Sequence, residues 1–251
     1  MVVDHPSPEQ IPALQRLWQQ VFEDTTEFIR LFFSCAYAPD HCLCLVQEQP
    51  VAALYWLDCH YRGEKYAYLY AVATHPEHRG KGFCRQLMEK THRLLAHRGY
   101  TGALLVPQTP ELREMYGKMG YRDCTCVTER FCAAGEKTVP IRPVQPQEYA
   151  DLRRQYLPDK GVIQEFANLS LLSGIAKLYA GEDFILAAAQ QKDALWGMEL
   201  LGNPDAAPAI LRSLGYGAGT FRTPGTDQRF AMLLPLNPNA EAPEYFGLAF
   251  D

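Results

Sequence analysis

The junction between a strand-like run and a helix-like run is the feature that most constrains this chain. It spans residues 68–85, YLYAVATHPEHRGKGFCR, in which a tyrosine-rich apolar run ends near Pro76. A short turn follows at residues 79–82, Arg-Gly-Lys-Gly, and opens onto a helix-like segment that starts at Phe83. The first N–H groups of a helix have no partner within the helix, and glycines let a backbone come close to a ligand. The junction therefore predicts a binding site for phosphate.

Composition and charge narrow the classes of protein. A chain of 251 residues with 47% hydrophobic and 21% charged residues is typical of a soluble globular protein with one large domain or two ordinary ones. The net charge of -5 argues against a nucleic-acid-binding protein. One segment is nonetheless basic, with only Glu77 and Glu89 as acidic residues among His75, His78, Arg79, Lys81, Arg85, Lys90, Arg93 and Arg98. This pattern favours a small anionic ligand.

The sequence also predicts a compartment and the state of the cysteines. The polar start, MVVDHPSPEQ, is unlike a secretory signal peptide, and no apolar run reaches the roughly 20 residues that span a bilayer, so we expect a cytoplasmic protein. Cys42 and Cys44, like Cys124 and Cys126, are two residues apart and would share one face of a strand. Without any CxxC pair, we expect reduced thiols and no metal site.

The first half predicts a mixed sheet flanked by helices. Hydrophobic spacing and turn residues predict helices at 7–23, 26–37, 83–97 and 109–119, and strands at 41–47, 51–61, 65–73, 100–107 and 121–132. Ser7 and Thr109 are candidate N-caps, and Arg62-Gly63-Glu64 is typical of a hairpin. The early strands suit an antiparallel meander, whereas the later ones need helical crossovers and favour parallel pairing.

The second half predicts a second, smaller α/β domain. A polar linker at 133–138 divides the chain into predicted domains 1–134 and 139–251. After the linker, two helix-like runs and two strand-like runs follow in an order similar to that of the first half. A degenerate internal repeat and an unrelated α+β domain both explain this pattern.

Two motifs carry the chemistry. The turn at 79–82 matches neither GxxxxGK[ST] nor GxGxxG, which disfavours a nucleoside-triphosphate loop and a dinucleotide fold. About 30 residues later, MYGKMGY at 115–121 places Tyr116 near the end of a predicted helix. Together, HPEHRGKGFCRQLM and TPELREMYGKMGY resemble the GNAT family of N-acetyltransferases over residues 5–132, with its Arg/Gln-x-x-Gly-x-Gly/Ala loop at 79–84.

The resemblance implies a cofactor and a set of site residues. The loop amides would bind the pyrophosphate of acetyl-CoA, and the strand end at Val72–Thr74 would splay and pair with the pantetheine arm. Tyr116 would protonate the departing thiolate, and the N–H near Val72 would stabilise the carbonyl oxygen. The implied cofactor-binding residues are Val72, Ala73, Thr74, Arg79, Gly80, Lys81, Gly82, Phe83, Cys84 and Arg85. Cys84 replaces the family's usual final glycine or alanine but is still small, so the loop is expected to survive, and Thr109 stands where many members carry asparagine.

The residues leave the acceptor site open. Tyr66, Tyr68 and Tyr70 share one strand face and either line an acceptor cleft or pack beneath a helix. Glu23 and Asp24 either attract a cationic amine or are solvated charges at a helix end. A catalytic base is sought among His75, Glu77 and His78, for which a surface role is the alternative. The aromatic C-terminal run EYFGLAFD is expected to dock on the body of the protein.

Three functions compete at this stage. The first is an acetyl-CoA-dependent N-acetyltransferase acting on a small-molecule or peptide amine. The second is a non-catalytic acyl-CoA-binding or sensor protein, against which Tyr116 argues, because binding alone needs no acid. The third, a DNA-associated regulator, is disfavoured by the acidic net charge. We therefore expect acetyl-CoA and an amine as partners, with no nucleic acid, membrane or metal; the sequence does not specify an oligomeric state.

Overall fold

The computed structural model describes residues 2–250. They group into two compact units that are not consecutive in sequence. The first contains the chain up to Leu105 together with Thr109–Arg122 and Leu233–Glu241. The second contains Val106–Gln108, Asp123–Met232 and the chain from Ala242 onward.

Helices and strands alternate along much of the chain. The α-helices are α1 (Ile11–Phe22), α2 (Thr26–Cys35), α3 (Phe83–His97), α4 (Pro110–Gly117), α5 (Pro146–Tyr156), α6 (Ala167–Ile175) and α7 (Ala207–Leu214). The strands are β1 (Val2–Asp4), β2 (Cys42–Val46), β3 (Pro50–Tyr61), β4 (Glu64–Thr74), β5 (Gly102–Leu105), β6 (Arg122–Asp123), β7 (Cys126–Ala133), β8 (Arg142–Pro143), β9 (Ile163–Gln164), β10 (Lys177–Ala180), β11 (Phe184–Gln191), β12 (Ala194–Gly202), β13 (Ala218–Pro224), β14 (Gln228–Arg229) and β15 (Met232–Pro235). None of the helices within residues 2–250 is both long enough and apolar enough to cross a membrane.

The first sheet is mixed, as the sequence predicts. Its strands lie in the order β1-β2-β3-β4-β5-β15-β6. The meander from β1 to β4 is antiparallel, and β4 pairs with β5 in parallel through the crossover helix α3. The hairpin between β3 and β4 turns at Arg62 and Gly63, which have φ angles of 50° and 80°. This left-handed pair is typical of the turn that matches strand twist.

Amphipathic helices cover this sheet. Helix α1 packs on β3 and β4 and buries Leu14, Leu17 and Trp18. Helix α3 packs on β2, β3, β4 and β5 and buries Leu87 and Leu95. The predicted N-cap Thr109 is confirmed, since its hydroxyl accepts a hydrogen bond from the Leu112 N–H at 3.3 Å. Burial of apolar side chains at this spacing explains why the helical periodicity was readable in the sequence.

The second unit repeats the order of elements of the first. Helices α5 and α6 precede the antiparallel strands β10, β11 and β12, and α7 then leads to β13, which pairs with β12 in parallel. In the first unit, α1 and α2 precede β2, β3 and β4, and α3 leads to β5. The shared order favours the degenerate repeat over an unrelated domain.

The units differ from the predicted segments 1–134 and 139–251 in the placement of two strands, β7 and β15. The predicted last strand, 121–132, is split, and its larger part, β7, pairs with β13 in a second sheet, whose strands lie in the order β14-β7-β13-β12-β11-β10-β8. Strand β15, from the end of the repeat, instead lies beside β5 in the first sheet. Whether 1–134 and 139–251 act as separate domains stays a prediction.

A buried ion pair anchors the C-terminal segment within the second unit. The Arg153 guanidinium donates to both carboxylate oxygens of Glu199, at 2.7 and 3.0 Å, and both side chains are at most 3% exposed. The hydroxyls of Tyr149 and Tyr245 also donate to Glu199, at 3.2 and 3.0 Å. Arg153 further donates to the Val162 carbonyl at 3.1 Å. The expected docking of the aromatic C-terminal run is therefore observed on this unit for residues 244–250, and Asp251 lies outside the described residues.

A partly buried polar pair joins α3 to Tyr121 in the first unit. His92 Nε2 and the Tyr121 hydroxyl are 2.8 Å apart. Burial, with a smaller contribution from the charge of Arg93, lowers the pKa of His92 to about 4. His92 is therefore neutral at physiological pH and can accept the hydrogen bond of the tyrosine.

Arg153→Met is expected to destabilise the protein by about 3–5 kcal/mol, because it leaves the Glu199 charge buried without its partner. Arg154→Met is the matched control: the neighbouring side chain is 51% exposed, and its ion pair with Glu165 is worth about 1 kcal/mol or less. Urea unfolding of both variants measures the difference. Equal losses would contradict the proposed importance of the buried pair.

The His92 pair predicts a dependence of stability on pH. The histidine titrates at 6.5 when unperturbed and at about 4 in the folded chain, so the unfolded state binds more protons between these values. The free energy of unfolding should fall as pH drops from 6.5 to 4, by up to about 3 kcal/mol from this group. His92→Gln keeps a hydrogen-bond acceptor and should lose this part of the pH dependence. Urea midpoints at pH 7 and pH 4.5 test it; an unchanged pH dependence would contradict the assignment.

Candidate functional site

Strand β4 has an open edge over its last residues. Its register against β3 reaches Thr74, whereas its register against β5 covers only residues 66–68 opposite 102–104. Ala71 has a φ of 48° and lies where the register against β3 shifts, as in a β-bulge. Within the described chain, the edge of residues 69–74 that faces away from β3 therefore has no strand beside it. Backbone groups on such an edge can pair with an added strand or an extended ligand, and the splayed strand at Val72–Thr74 stays a prediction.

The turn after β4 has a backbone that only glycine adopts easily. Gly80 and Gly82 have φ angles of 73° and 79°. A Cβ added at either position would meet no atom within 4 Å. The glycines are needed for their left-handed conformation and not for lack of space, and the turn borders open volume. Arg79 Nε donates to the Thr74 carbonyl at 3.3 Å and connects the turn to the strand end.

The start of α3 combines unpaired donors with positive charge. Gly82 is its N-cap and has no side chain to accept from the first turn, which contains no acidic residue. Lys81 and Arg85 are exposed on either side of this start. In a 15-residue helix the unpaired N–H groups and the macrodipole favour an anion at this end. The Phe83 side chain is buried, with 8% of its surface exposed, and attaches the first turn of α3 to the core.

His78, one of the three candidate bases, has a buried ring nitrogen that the sequence did not predict. Its ring stacks on Phe83 with centroids 6.0 Å apart. Its Nδ1 atom is buried and has no hydrogen-bond partner among the described residues. The neighbouring candidates His75 and Glu77 bond to each other through the turn, the Glu77 N–H donating to His75 Nδ1 at 3.3 Å. The signal in the sequence for this stacking is Phe83, an aromatic residue five positions after His78.

Tyr116 is buried at the end of α4, with 6% of its surface exposed. Its ring packs edge-on against Tyr121, with centroids 5.8 Å apart, and its electrostatic neighbours include Cys84. Burial, and then Cys84, raises the pKa of Tyr116 well above its usual value. No hydrogen bond joins its hydroxyl to another residue within 2–250. Tyr116 is therefore a protonated donor without an internal acceptor.

The acceptor candidates separate into buried and accessible groups. Tyr66 and Tyr68 are 1% and 3% exposed and belong to the core, whereas Tyr70 is half-buried. Glu23 is exposed, but Asp24 is half-buried and accepts a hydrogen bond from Trp18 Nε1 at 2.8 Å. Sequence reasoning missed this contact, although the six-residue spacing across the end of α1 is compatible with it.

The described residues offer less support for a metal site or a reactive thiol. Among the described residues, no group of three or more His, Cys, Asp or Glu side chains could hold a metal ion. Cys42 and Cys44 are buried in β2, and burial raises the pKa of both thiols. Burial likewise raises the pKa of Cys84 to about 11, so that this residue stays a neutral thiol beside the start of α3.

Comparison with known proteins identifies a family for residues 3–124. Residues 3–124 match the family model described as an acetyltransferase (GNAT) domain. No curated protein matches. Many solved structures share the fold. A GCN5-related N-acetyltransferase from Anabaena variabilis ATCC 29413 is 18% identical with a TM-score of 0.73, covering 94% of this chain and 73% of that one.

Two further structures show that the similarity of fold extends over both units. One is a GCN5-related N-acetyltransferase from Kribbella flavida, with 16% identity, a TM-score of 0.70, and coverage of 92% of this chain and 70% of that one. The other, from Sphaerobacter thermophilus, has 11% identity, a TM-score of 0.59, and coverage of 97% and 98%. Residues 3–124 of this chain therefore form a domain of the GNAT acetyltransferase family.

Proposed function

We propose that the chain is an N-acetyltransferase that moves the acetyl group of acetyl-CoA to an amine. One arrangement carries the proposal: the open edge at the end of β4 leads, through two left-handed glycines, to the uncapped start of α3. Strand edge, turn and helix start thus present unpaired donors in sequence along one path. A cofactor with an amide-containing arm and a pyrophosphate matches that order of donors. A cytoplasmic location remains part of this proposal.

The turn and helix start would hold the pyrophosphate. The amides from Gly80 to Arg85 would donate to its oxygens, and Arg79, Lys81 and Arg85 would add positive charge. The buried Nδ1 of His78 is a further candidate for a cofactor contact, because it lacks a partner within the described chain. Cys84 fits the loop as a small, neutral, half-buried residue.

The end of β4 would hold the reactive part of the cofactor. The backbone of Val72, Ala73 and Thr74 would pair with the pantetheine arm as an added strand does. The Val72 N–H would donate to the thioester oxygen as it gains negative charge during attack. Holding acetyl group and amine together at this point would supply several kcal/mol through orientation alone.

The reaction is a direct transfer. The ammonium first gives a proton to solvent, and the neutral nitrogen then attacks the thioester carbon. A bond forms between nitrogen and carbon, the carbon–sulfur bond breaks, and Tyr116 gives its proton to the thiolate. The proton lost by the new amide nitrogen then restores Tyr116 through solvent. Burial raises the pKa of Tyr116, which supports an acid that stays protonated at neutral pH.

The proposal is tested with the intact protein. Acetyl-CoA should raise the melting temperature, and addition of an amine panel should release free thiol. The panel covers polyamines, aminoglycosides, amino acids, arylalkylamines and peptides. Stabilisation by acetyl-CoA without thiol release from any amine would favour the non-catalytic acyl-CoA sensor instead.

Gly82→Ala is expected to weaken CoA binding about tenfold or more. The new side chain meets no atom, but a φ of 79° costs an L-residue about 1 kcal/mol or more, so the turn would shift and its amides would no longer converge. Gly99→Ala is a matched control, with the same φ of 79°, the same open space and a position at the other end of α3. Calorimetric titration with CoA compares them. Equal affinities in the two variants would sink the proposed role of the turn.

Tyr116→Phe is expected to lower kcat about 100-fold or more while leaving CoA affinity nearly unchanged, because it removes only the proton donor. Tyr121→Phe is the control: it also removes a buried hydroxyl, but one that is bonded to His92, and should leave kcat near that of the unmodified protein. Thiol release measures kcat and titration measures affinity. Unchanged kcat in Tyr116→Phe would remove this residue from the reaction.

A further inference from the structure

An aromatic cluster lies between α1, α2 and the β3–β4 hairpin in the first unit. Trp18 is its centre. Six rings have centroids 4.7–6.3 Å from the Trp18 ring: Phe22, Phe28, Phe32, Phe33, Tyr55 and Tyr70. Trp18, Phe32 and Tyr55 are at most 2% exposed and form the floor of the cluster.

The remaining rings of the cluster reach the surface. Phe22, Phe28, Phe33 and Tyr70 are each half-buried, and we call these four residues the aromatic rim. A rim of partly exposed rings over a buried aromatic floor offers ring faces and edges to a flat apolar group. Core packing buries the floor almost completely and leaves the four rings of the rim partly exposed.

The rim borders the proposed reaction point. Tyr70 belongs to the rim and immediately precedes Ala71, the bulge residue, and Val72, the proposed donor to the thioester oxygen. The bulge lies at the start of the open edge of β4. A molecule resting on the rim therefore lies beside the backbone at which the acetyl group would be delivered.

One carboxylate is oriented at the rim. Asp24 follows Phe22 by two residues, is half-buried, and is held by the indole N–H of Trp18 through Oδ2. Glu23, at the end of α1, and Glu27, in the first turn of α2, are exposed neighbours that add negative charge near Asp24. An ammonium group gains from a fixed carboxylate and from aromatic faces within about 6 Å. The surface therefore suits a cation with an apolar body.

We propose that the acceptor amine is a small arylalkyl monoamine whose ring lies on the aromatic rim and whose ammonium group pairs with Asp24. The inference rests on the proposed acetyl transfer. A polyamine or an aminoglycoside carries several charges and little flat apolar surface, whereas the site offers one oriented carboxylate and four rings. After loss of a proton to solvent, the nitrogen of the bound amine attacks the thioester beside Val72, as in the general reaction.

The test uses 2-phenylethylamine as the probe, with spermidine and kanamycin as comparators. We expect kcat/KM for 2-phenylethylamine to exceed that of either comparator by at least about tenfold, a difference of about 1.4 kcal/mol. Asp24→Asn keeps an oxygen that accepts from Trp18 but removes the charge, and should lower kcat/KM for the probe about tenfold. Glu27→Gln removes one exposed charge from the first turn of α2, three residues from Asp24, and serves as the matched control, with a change below about twofold.

Two readouts separate failure of this inference from failure of the proposed function. Calorimetric titration of 2-phenylethylamine into the CoA-saturated protein measures binding without turnover, and thermal stabilisation by acetyl-CoA measures the cofactor site. Acetyl transfer to spermidine or kanamycin in preference to the probe would overturn the substrate class and leave the acetyltransferase intact. Loss of turnover with every amine would overturn the proposed function, and absence of heat with the probe would then overturn the aromatic site as well. Equal effects of Asp24→Asn and Glu27→Gln on kcat/KM would also overturn the inference. The overall negative charge of the surface, and not a direct pair with Asp24, would then attract the amine.

Discussion

The end of β4 is the constraint on which the candidate site depends. A strand in a sheet normally satisfies backbone groups on both edges, and an unpaired edge is costly unless water or a ligand replaces the missing partner. Here β3 accompanies β4 to Thr74, but β5 leaves it after Tyr68. The bulge at Ala71 lies in the part of β4 that is paired on one edge only, beyond the part that is paired on both edges. The same strand thus belongs to the core at one end and, in the proposed function, to the cofactor site at the other.

The two units show how one order of elements leads to different chemistry. Before α3, Gly80 and Gly82 face open space, and the helix begins without a side-chain cap. Before α7, Gly202 has φ 92°, but a Cβ there would lie 2.2 Å from the Asp183 carbonyl, and the Asn203 side chain accepts from the Asp205 N–H. The second junction is thus filled by its own chain and carries an acid. An anion would meet unpaired donors at the first helix start and a capped, acidic turn at the second.

Turns and helix caps could be predicted from the sequence wherever neighbouring residues determine the backbone conformation. The Arg62–Gly63 hairpin, the Thr109 cap and the glycines before α3 all follow from φ preferences and capping within a few residues. The exchange of β7 and β15 was not readable, because an alternating apolar pattern specifies a strand but not its neighbour in a sheet. Similarly, the tyrosines of β4 were predicted to share one face, but their different burial depends on which helices cover each position. The Arg153–Glu199 pair joins residues 46 apart in sequence, beyond any local pattern.

The contact between Trp18 and Asp24 explains why the proposed acceptor surface was the hardest part to predict. Trp18 is 1% exposed, so its ring reads as core, and its position in the helical pattern of α1 gives no reason to assign it a function. Yet a buried indole N–H needs an acceptor, and the helix end allows Asp24 to supply one. The α1 C-cap Glu23, with a φ of 59°, turns the chain back toward the indole, so the cost of a left-handed non-glycine residue is met by satisfying that N–H. Core packing of Trp18 thereby determines where a carboxylate lies at the surface. A pattern of exposed charges alone cannot distinguish such an oriented acid from the solvated acids on either side of it.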